Sequence, residues 1–221
     1  MNKLLKNILF AFGMTVAITS AANATVIDTT ASATSTTTSF GAPDTATYGE
    51  TFTVGTDTIL NSFSLYLSSR AAGNGALDLR GYVASWDGSK ATNILYTSAT
   101  IKKNASSNLQ EFAFDTGDLT LISGSQYVAF LSVSGLGSQG ASTFAMPSGS
   151  NVYSDGNFVY LNNGINFSAL TTSTWTARTA TDVAFKATLS QAAQVPEPTT
   201  VALLGLGLLG FAASRRKSNA K

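Results

Sequence analysis

Residues 121–133 are Leu121-Ile122-Ser123-Gly124-Ser125-Gln126-Tyr127-Val128-Ala129-Phe130-Leu131-Ser132-Val133, and no other stretch indicates the fold as directly. The first seven have the L-x-x-G-x-x-Y spacing of a tyrosine corner, in which a tyrosine ring packs at the end of a β-sandwich and its hydroxyl bonds to upstream backbone. The residues after Tyr127 are apolar at successive positions, so both faces of this strand should be covered. The stretch therefore predicts a corner followed by a central strand.

Segments with period-two alternation lie on both sides of this stretch. Apolar residues alternate with mostly polar ones at 51–54, 62–67 and 182–189, which predicts half-buried antiparallel strands. Turn signals separate the strands at 55–57, 73–75, 87–88, 115–117, 124, 135–140, 155–157 and 162–164. Sustained helical periodicity is absent from this region. Residues 48–190 are therefore predicted to form one all-β domain, an antiparallel β-sandwich or jelly roll.

The composition excludes several kinds of chemistry. Of the 221 residues only 11% are charged, and the chain contains neither Cys nor His. Disulfides, thiol nucleophiles, Ser-His-Asp triads and most transition-metal sites are therefore excluded. Between Thr25 and Val195 there are 7 basic and 11 acidic residues, a net charge of −4. A mildly acidic domain lacks the basic surface that nucleic acids require, so no nucleic-acid partner is expected.

The N-terminus has the parts of a secretory signal peptide. Lys3 and Lys6 are basic, residues 8–18 are apolar, and Ala22-Asn23-Ala24 matches an A-x-A cleavage site. Residues 1–24 are therefore predicted to be a signal helix for the Sec export machinery, with cleavage leaving a mature chain that starts near Thr25. A retained membrane anchor is the alternative, which the short apolar core disfavours.

Residues 25–47 are rich in Thr and Ser. Within them, residues 29–39 have almost no hydrophobic side chain larger than alanine, so burial cannot offset the entropy lost on ordering. We expect a flexible leader or an edge segment before the sandwich begins at residue 48.

Residues 191–221 have a three-part pattern. Val195-Pro196-Glu197-Pro198 is followed by an uncharged, Leu-rich run at 199–213 and by a tail at 214–221 that contains the basic residues Arg215, Arg216 and Lys217. The prolines end the preceding domain, and the apolar run predicts a short transmembrane helix whose basic end stays on the cytoplasmic side. Such a helix spans about 22 Å, less than the roughly 30 Å of the hydrocarbon core. The anchor would therefore be marginal or temporary.

This pattern resembles the PEP-CTERM sorting signal of exopolysaccharide-producing Gram-negative bacteria. The resemblance implies that exosortase, a transpeptidase-like membrane enzyme, recognises Pro196-Glu197-Pro198 and removes the anchor. The expected route is the inner membrane, then the cell surface or extracellular matrix. An ordinary C-terminal membrane tail is the alternative, but it needs no Pro-Glu-Pro box.

A second resemblance concerns the domain itself. Residues 82–87, 110–117, 126–132 and 158–164 resemble a β-sandwich ectodomain of bacterial surface proteins, which implies no catalytic activity.

The carboxylates of the domain indicate no active site. A glycosidase needs two carboxyl groups about 5 to 10 Å apart, and Glu50 and Glu111 are the only glutamates available. The aspartates are better explained as turn formers. Asp115 with Asp118, or Asp155 with Asn157, are weak calcium candidates, since they offer oxygen ligands without EF-hand spacing. We therefore expect no cofactor, with calcium as the alternative.

Carbohydrate binding is the most specific ligand hypothesis. Sugars stack on aromatic rings, and a secreted sandwich could present Trp86, Trp175, Tyr82 or Tyr160 to a glycan. Burial of both tryptophans between sheets is the competing interpretation and the favoured one.

The sequence thus predicts an exported, non-catalytic surface or matrix protein, structural or associated with exopolysaccharide in a biofilm. A carbohydrate-binding module is the alternative, and a jelly-roll glycan hydrolase is a third possibility that requires convergent carboxylates.

Overall fold

The computed structural model of the protein describes residues 24–41, 45–69, 75–104, 108–137, 143–192 and Gly207. These residues form two antiparallel sheets of seven strands each. The first sheet contains β1 (Thr25–Asp28), β2 (Ser35–Phe40), β4 (Ile59–Ser69), β8 (Gln110–Thr120), β10 (Phe144–Ser150), β13 (Thr181–Val183) and β14 (Phe185–Ser190). The second contains β3 (Thr47–Thr53), β5 (Leu77–Trp86), β6 (Ala91–Thr97), β7 (Ile101–Lys103), β9 (Gln126–Ser132), β11 (Phe158–Leu161) and β12 (Thr176–Arg178).

The order of strands places β9 in the middle of the second sheet. That sheet runs β12-β11-β3-β9-β5-β6, with β7 also paired to β5. The first sheet runs β1-β14-β4-β10-β13, with β2 paired to β10 and β8 to β4. The all-β class and the two antiparallel sheets expected of a sandwich are therefore confirmed.

Apart from the single residue Gly207, helical structure in the described ranges is limited to two short pieces: a 3-10 turn at Thr30–Ser32 and one helix, α1, at Ala169–Thr172. Neither approaches the length and hydrophobicity that crossing a bilayer would take. The predicted signal helix at 1–24 and hydrophobic helix at 199–213 lie outside the described residues, apart from Ala24 and Gly207.

The main core lies between the two sheets, where the apolar positions of the alternating segments point. Phe63 and Leu65 of β4 and Phe185 of β14 are fully buried on the first sheet. Phe52 of β3 and Leu131 of β9 face them from the second sheet, and the rings of Phe52 and Phe185 lie 5.9 Å apart. Burial of these side chains holds the sheets together, at about 25 cal/mol per Å² of apolar surface removed from water.

A second apolar layer covers the opposite face of the second sheet. Val128 and Phe130 of β9 and Tyr82 of β5 are completely buried there. Leu170 of α1 and the nearby Trp175 lie over them. The prediction that β9 is covered on both faces is therefore confirmed.

The predicted tyrosine corner is also present. The hydroxyl oxygen of Tyr127 accepts a hydrogen bond from the backbone N–H of Ile122 at 2.9 Å, and the ring is 3% exposed. Gly124 has φ +77°, a conformation that glycine adopts without steric cost. Its N–H bonds to the carbonyl of Val54 at 2.8 Å, which fixes the corner against the end of β3.

The structure differs from the expected leader at 25–47. β1 pairs with β14 and β2 with β10, so this segment supplies two strands to the first sheet and the sandwich begins well before residue 48. The lack of large hydrophobic residues suggested a flexible leader, but β-branched threonines such as Thr36 and Thr37 favour extended backbone, and the neighbouring strands provide the hydrogen-bond partners. The edge-segment alternative describes these residues correctly.

The turn expected at residues 115–117 is a bulge inside β8. The register of β8 against β4 shifts between Leu60 and Ser62, while Gly117 and Asp118 have φ of +64° and +58°. A bulge accommodates such residues without ending the strand.

Asp182, expected on the polar face of an alternating segment, is instead buried and 1% exposed.

Candidate ligand-binding cleft

A cleft of about 390 Å³ opens where β2 of the first sheet faces β11 and β12 of the second. Its lining is polar, consisting of Thr36, Thr37, Thr38, Thr45, Tyr48, Tyr160, Asn162 and Arg178. A volume in the range of roughly 300 to 1,000 Å³ suits a small organic ligand or a few units of a polymer. This cleft is therefore a candidate binding site.

Strand pairing places the aromatic and cationic side chains at this edge. Tyr160 of β11 is paired with Tyr48 of β3, and Phe158, two residues before it, is paired with Arg178 of β12. Residues on one face of neighbouring strands that are offset by two positions can reach one another. The guanidinium carbon of Arg178 accordingly lies 5.6 Å from the centre of the Tyr160 ring.

Hydrogen bonds fix the other walls of the cleft. The hydroxyl of buried Tyr48 donates to the carbonyl oxygen of Thr38 at 2.6 Å, which joins β3 to β2 across the two sheets. The hydroxyl of Thr45 donates to Oδ1 of Asn162 at 2.7 Å. The walls are therefore held in place before any ligand arrives, which lowers the entropic cost of binding.

The described lining of the cleft carries a charge opposite to that of the domain. Arg178 is the only charged residue among the described residues of the lining, whereas the region between Thr25 and Val195 carries a net charge of −4. Arg178 is an exposed residue, so its guanidinium is available to an anionic group. Threonine hydroxyls and the Asn162 amide add donors and acceptors for a hydroxylated ligand.

The four predicted glycan contacts are divided between two places. Tyr160 lines the cleft. Tyr82, Trp86 and Trp175 lie instead in or against the second apolar layer, where Trp175 makes edge-on contacts with Phe130 at 5.1 Å and with Trp86 at 5.7 Å.

Burial removes two of these aromatic residues from contact with a sugar. Tyr82 is fully buried and stacked on Phe130 at 4.9 Å, and its burial raises the pKa of its phenol. Trp175 is 4% exposed and its indole N–H donates to the carbonyl of Leu170 at 2.9 Å. Both are core residues, while Trp86 is half-buried at the border of the layer.

The aspartates considered as calcium ligands lie at the surface. Oδ1 of Asp115 accepts the N–H of Gly117 at 2.8 Å, and Oδ1 of Asp118 accepts the Asn61 amide at 2.7 Å. The side chain of Asp155 is exposed. Across the ranges that the structure describes, no three acidic residues come together as a metal site. The expected absence of a cofactor stays a prediction, with calcium as its alternative.

A pair of carboxyl groups is buried between the sheets, apart from the cleft. Glu50 of β3 is 0% exposed and Asp182 of β13 is 1% exposed. Oε2 of Glu50 accepts the N–H of Val183 at 3.0 Å, and Oδ2 of Asp182 accepts those of Val152 and Tyr153 at 2.8 and 3.0 Å. The remaining oxygens, Oε1 and Oδ1, have no other hydrogen-bond partner among the described residues.

The surroundings of Glu50 favour its protonated form. Burial raises the pKa of Glu50 well above its ordinary value, the hydrogen bond from Val183 opposes the rise, and neighbouring Asp182 adds to it. The charged form of Glu50 is therefore penalised both by the loss of water and by the nearby acidic group.

Sequence reasoning missed most of the cleft. Thr36, Thr37 and Thr38 were assigned to a leader, and nothing in the local pattern singled out Arg178 or Asn162. The signal that could have found the threonines is their β-branched side chains, which favour a strand.

Three comparisons with known proteins add a sorting motif and one distant fold likeness. Residues 194–217 match the PEP-CTERM protein-sorting motif. No curated protein sequence matches the chain significantly. A solved structure of the cysteine protease and lectin-like domains of Cwp84, a surface layer associated protein of Clostridium difficile, is similar at 12% identity with a TM-score of 0.43. The similarity covers 67% of this chain and 33% of that one, so the chain spans about a third of the length of its structural neighbour.

The motif match confirms the predicted PEP-CTERM sorting signal, although its residues from Val195 to Lys217 lie outside those that the structure describes, apart from Gly207. Such a motif implies export, exosortase-mediated processing at the membrane and a surface location.

Proposed function

We propose that the protein is a non-catalytic surface protein of a Gram-negative bacterium whose ectodomain binds an acidic polysaccharide of the extracellular matrix. The cleft beside Tyr160 and Arg178 is the binding site, and Sec export followed by exosortase processing brings the domain to the surface. The observation that carries this function is the described lining of the cleft, where hydroxyls and an amide surround one exposed arginine.

The geometry of the cleft favours an acidic glycan over a neutral one. Neutral sugars bind largely by stacking on a free aromatic face. Arg178 lies over the ring of Tyr160 at 5.6 Å, and Phe158 is stacked near the same ring at 5.8 Å, so little free face remains for stacking. A guanidinium instead pairs with a carboxylate through two parallel hydrogen bonds, which suits a uronic acid.

The positions of the carboxyl groups support a function without catalysis. Glu50 and Asp182 are close together but sealed between the sheets, where neither water nor a substrate reaches them. Glu111 is exposed and accepts the Tyr66 hydroxyl at 3.0 Å, outside the cleft lining. A glycosidase needs its two carboxyls on either side of the scissile bond, and the described residues of the cleft lining include no such pair.

Binding of the processed protein to defined polysaccharides tests this function. Alginate and polygalacturonate are the acidic probes, dextran is the neutral one, and isothermal titration gives the affinity. We expect binding to the acidic polymers, and a roughly tenfold loss in Arg178→Gln, equivalent to about 1.4 kcal/mol. The matched control is Arg80→Gln, because Arg80 donates to Thr100 and does not line the cleft.

Two results would count against glycan binding. One is a folded protein that binds none of the polymers, which would favour a purely structural role in the matrix. The other is an Arg178→Gln variant with unchanged affinity.

Intact-mass measurement of the surface protein tests sorting separately. We expect a mature chain that ends near Pro196-Glu197-Pro198. Retention of residues 203–221 would show that the anchor is kept, without affecting the assignment of the cleft.

A further inference from the structure

The carboxylate of Asp57 binds the residue that would become the N-terminus after signal cleavage. Oδ2 of Asp57 accepts two hydrogen bonds from Thr25, one from its backbone N–H at 3.1 Å and one from its hydroxyl at 2.5 Å. Asp57 is 6% exposed and follows β3, in a segment where the sequence predicted only a turn. Its carboxylate therefore contacts a residue 32 positions away in the chain instead of its own turn.

The predicted cleavage bond is the one between Ala24 and Thr25. Hydrolysis breaks the amide bond, gives the water oxygen to the new carboxylate of Ala24, and leaves an amine on Thr25. An α-amino group has a pKa of about 7.7 to 8.0, so the amine carries a proton and a positive charge at neutral pH. The nitrogen that is 3.1 Å from Asp57 as an amide thus becomes an ammonium group.

We propose that Asp57 is the docking site for the mature N-terminus, and that signal cleavage replaces the neutral amide donor with an ammonium group, which turns the hydrogen bond into a partly buried ion pair. This proposal rests on the export part of the proposed function and not on glycan binding. The ammonium adds a charge on the donor to the charge already on the acceptor, and the low exposure of Asp57 limits screening by salt on its side of the pair.

The ion pair would hold β1 in place at the edge of the first sheet. Thr25 begins β1, the terminal strand of that sheet, and β1 is joined to the rest of it only through β14, in a register of Thr25 to Leu189. Terminal strands with few pairings open most easily. The ion pair between Thr25 and Asp57 forms only after cleavage. The domain therefore gains this stability after it has left the cytoplasm.

A double-mutant cycle on the exported full-length protein tests the docking. The first change is Asp57→Asn, which keeps the shape and removes the charge. The second is insertion of Gly-Ser after Ala24, which preserves Ala22-Asn23-Ala24 and moves the ammonium two residues away from Asp57. Intact mass establishes the N-terminus of each mature protein, and thermal unfolding gives each midpoint.

We expect Asp57→Asn to lower the midpoint at least twice as much with the native N-terminus as with the insertion. Reductive methylation of the wild type provides a measurement without substitution, and we expect its α-amine to react more slowly than that of the insertion variant. Equal losses in both backgrounds, or equal reactivity, would overturn the docking while leaving export intact. The docking proposal would also be wrong if the mature chain began elsewhere than Thr25 or retained residue 1, because Thr25 would then carry no free amine. Alginate titration of the same variants tests glycan binding separately from the docking, because Asp57 does not line the cleft.

Discussion

Replacing Tyr127 with phenylalanine tests the tyrosine corner, because the change removes one oxygen and leaves the ring in place. The ring is 3% exposed and lies 6.0 Å from that of Phe52, and neither property should change. The hydroxyl oxygen accepts the N–H of Ile122 at 2.9 Å. The variant therefore loses one hydrogen bond that closes the corner, with almost no change in packing.

The expected loss in the free energy of unfolding is about 1 kcal/mol, within the roughly 0.5 to 1.5 kcal/mol of a net hydrogen bond. A donor left without water would cost up to about 3 kcal/mol. That limit is not expected, because the side chain of Ile122 is 70% exposed and water can approach its backbone. In a domain of this size the melting temperature should fall by about 2 to 4 °C.

Urea denaturation followed by tryptophan fluorescence measures the loss, with Tyr66→Phe as the matched control. The hydroxyl of Tyr66 donates to exposed Glu111 at 3.0 Å, so its removal should cost less than about 0.5 kcal/mol. If Tyr127→Phe were as stable as the wild type, or lost no more than the control, the hydroxyl would not be what holds the corner.

Three further predictions concern the core. Trp175→Ala should lower the free energy of unfolding in urea by about 3 to 5 kcal/mol, and Trp86→Ala should lower it clearly less, because only Trp175 fills a buried site. Equal losses in the two variants would contradict this. The pKa of Glu50 is raised well above its ordinary 4.5, so its contribution to stability falls as pH rises from that value; Glu50→Gln should flatten the decline in melting temperature above about pH 5, and an unchanged slope would argue against the raised pKa. Gly149→Ala should destabilise the domain by more than about 1 kcal/mol in the same assay, because an added Cβ collides with the carbonyl oxygen of Ser32. A variant as stable as the wild type would contradict the close approach of Gly149 to Ser32.

Local patterns predicted much of the fold. Period-two alternation placed Phe63 and Leu65 in the core, and the L-x-x-G-x-x-Y spacing identified the corner at Tyr127, because both depend on neighbours within a few residues. The same reasoning failed at Asp182, whose position in an alternating segment predicted exposure. The two oxygens of its carboxylate are instead enclosed because backbone N–H groups and Glu50 converge on them from other strands.

The candidate cleft was predictable in only one of its parts. Tyr160 was chosen as one of four aromatic residues that a secreted sandwich could present to a glycan, and it does line the cleft. Its partners could not be found, because Thr38 and Arg178 lie 140 positions apart in the chain and meet only through strand pairing. Tyr82 was an equal candidate, whereas burial was already the favoured interpretation for Trp175, and a second apolar layer buries both. Sequence reveals an aromatic residue, not which of its faces another segment covers.

The sequence by itself determined the fold class, the sorting signal and the absence of thiol and imidazole chemistry. Alternation, motif spacing and composition are properties of the chain alone. The tertiary structure decided which threonines face Arg178, which carboxyls are buried near each other and which carboxylate meets Thr25. Each of these contacts joins strands that are distant in sequence, and such contacts form only when two sheets pack with a definite register and orientation.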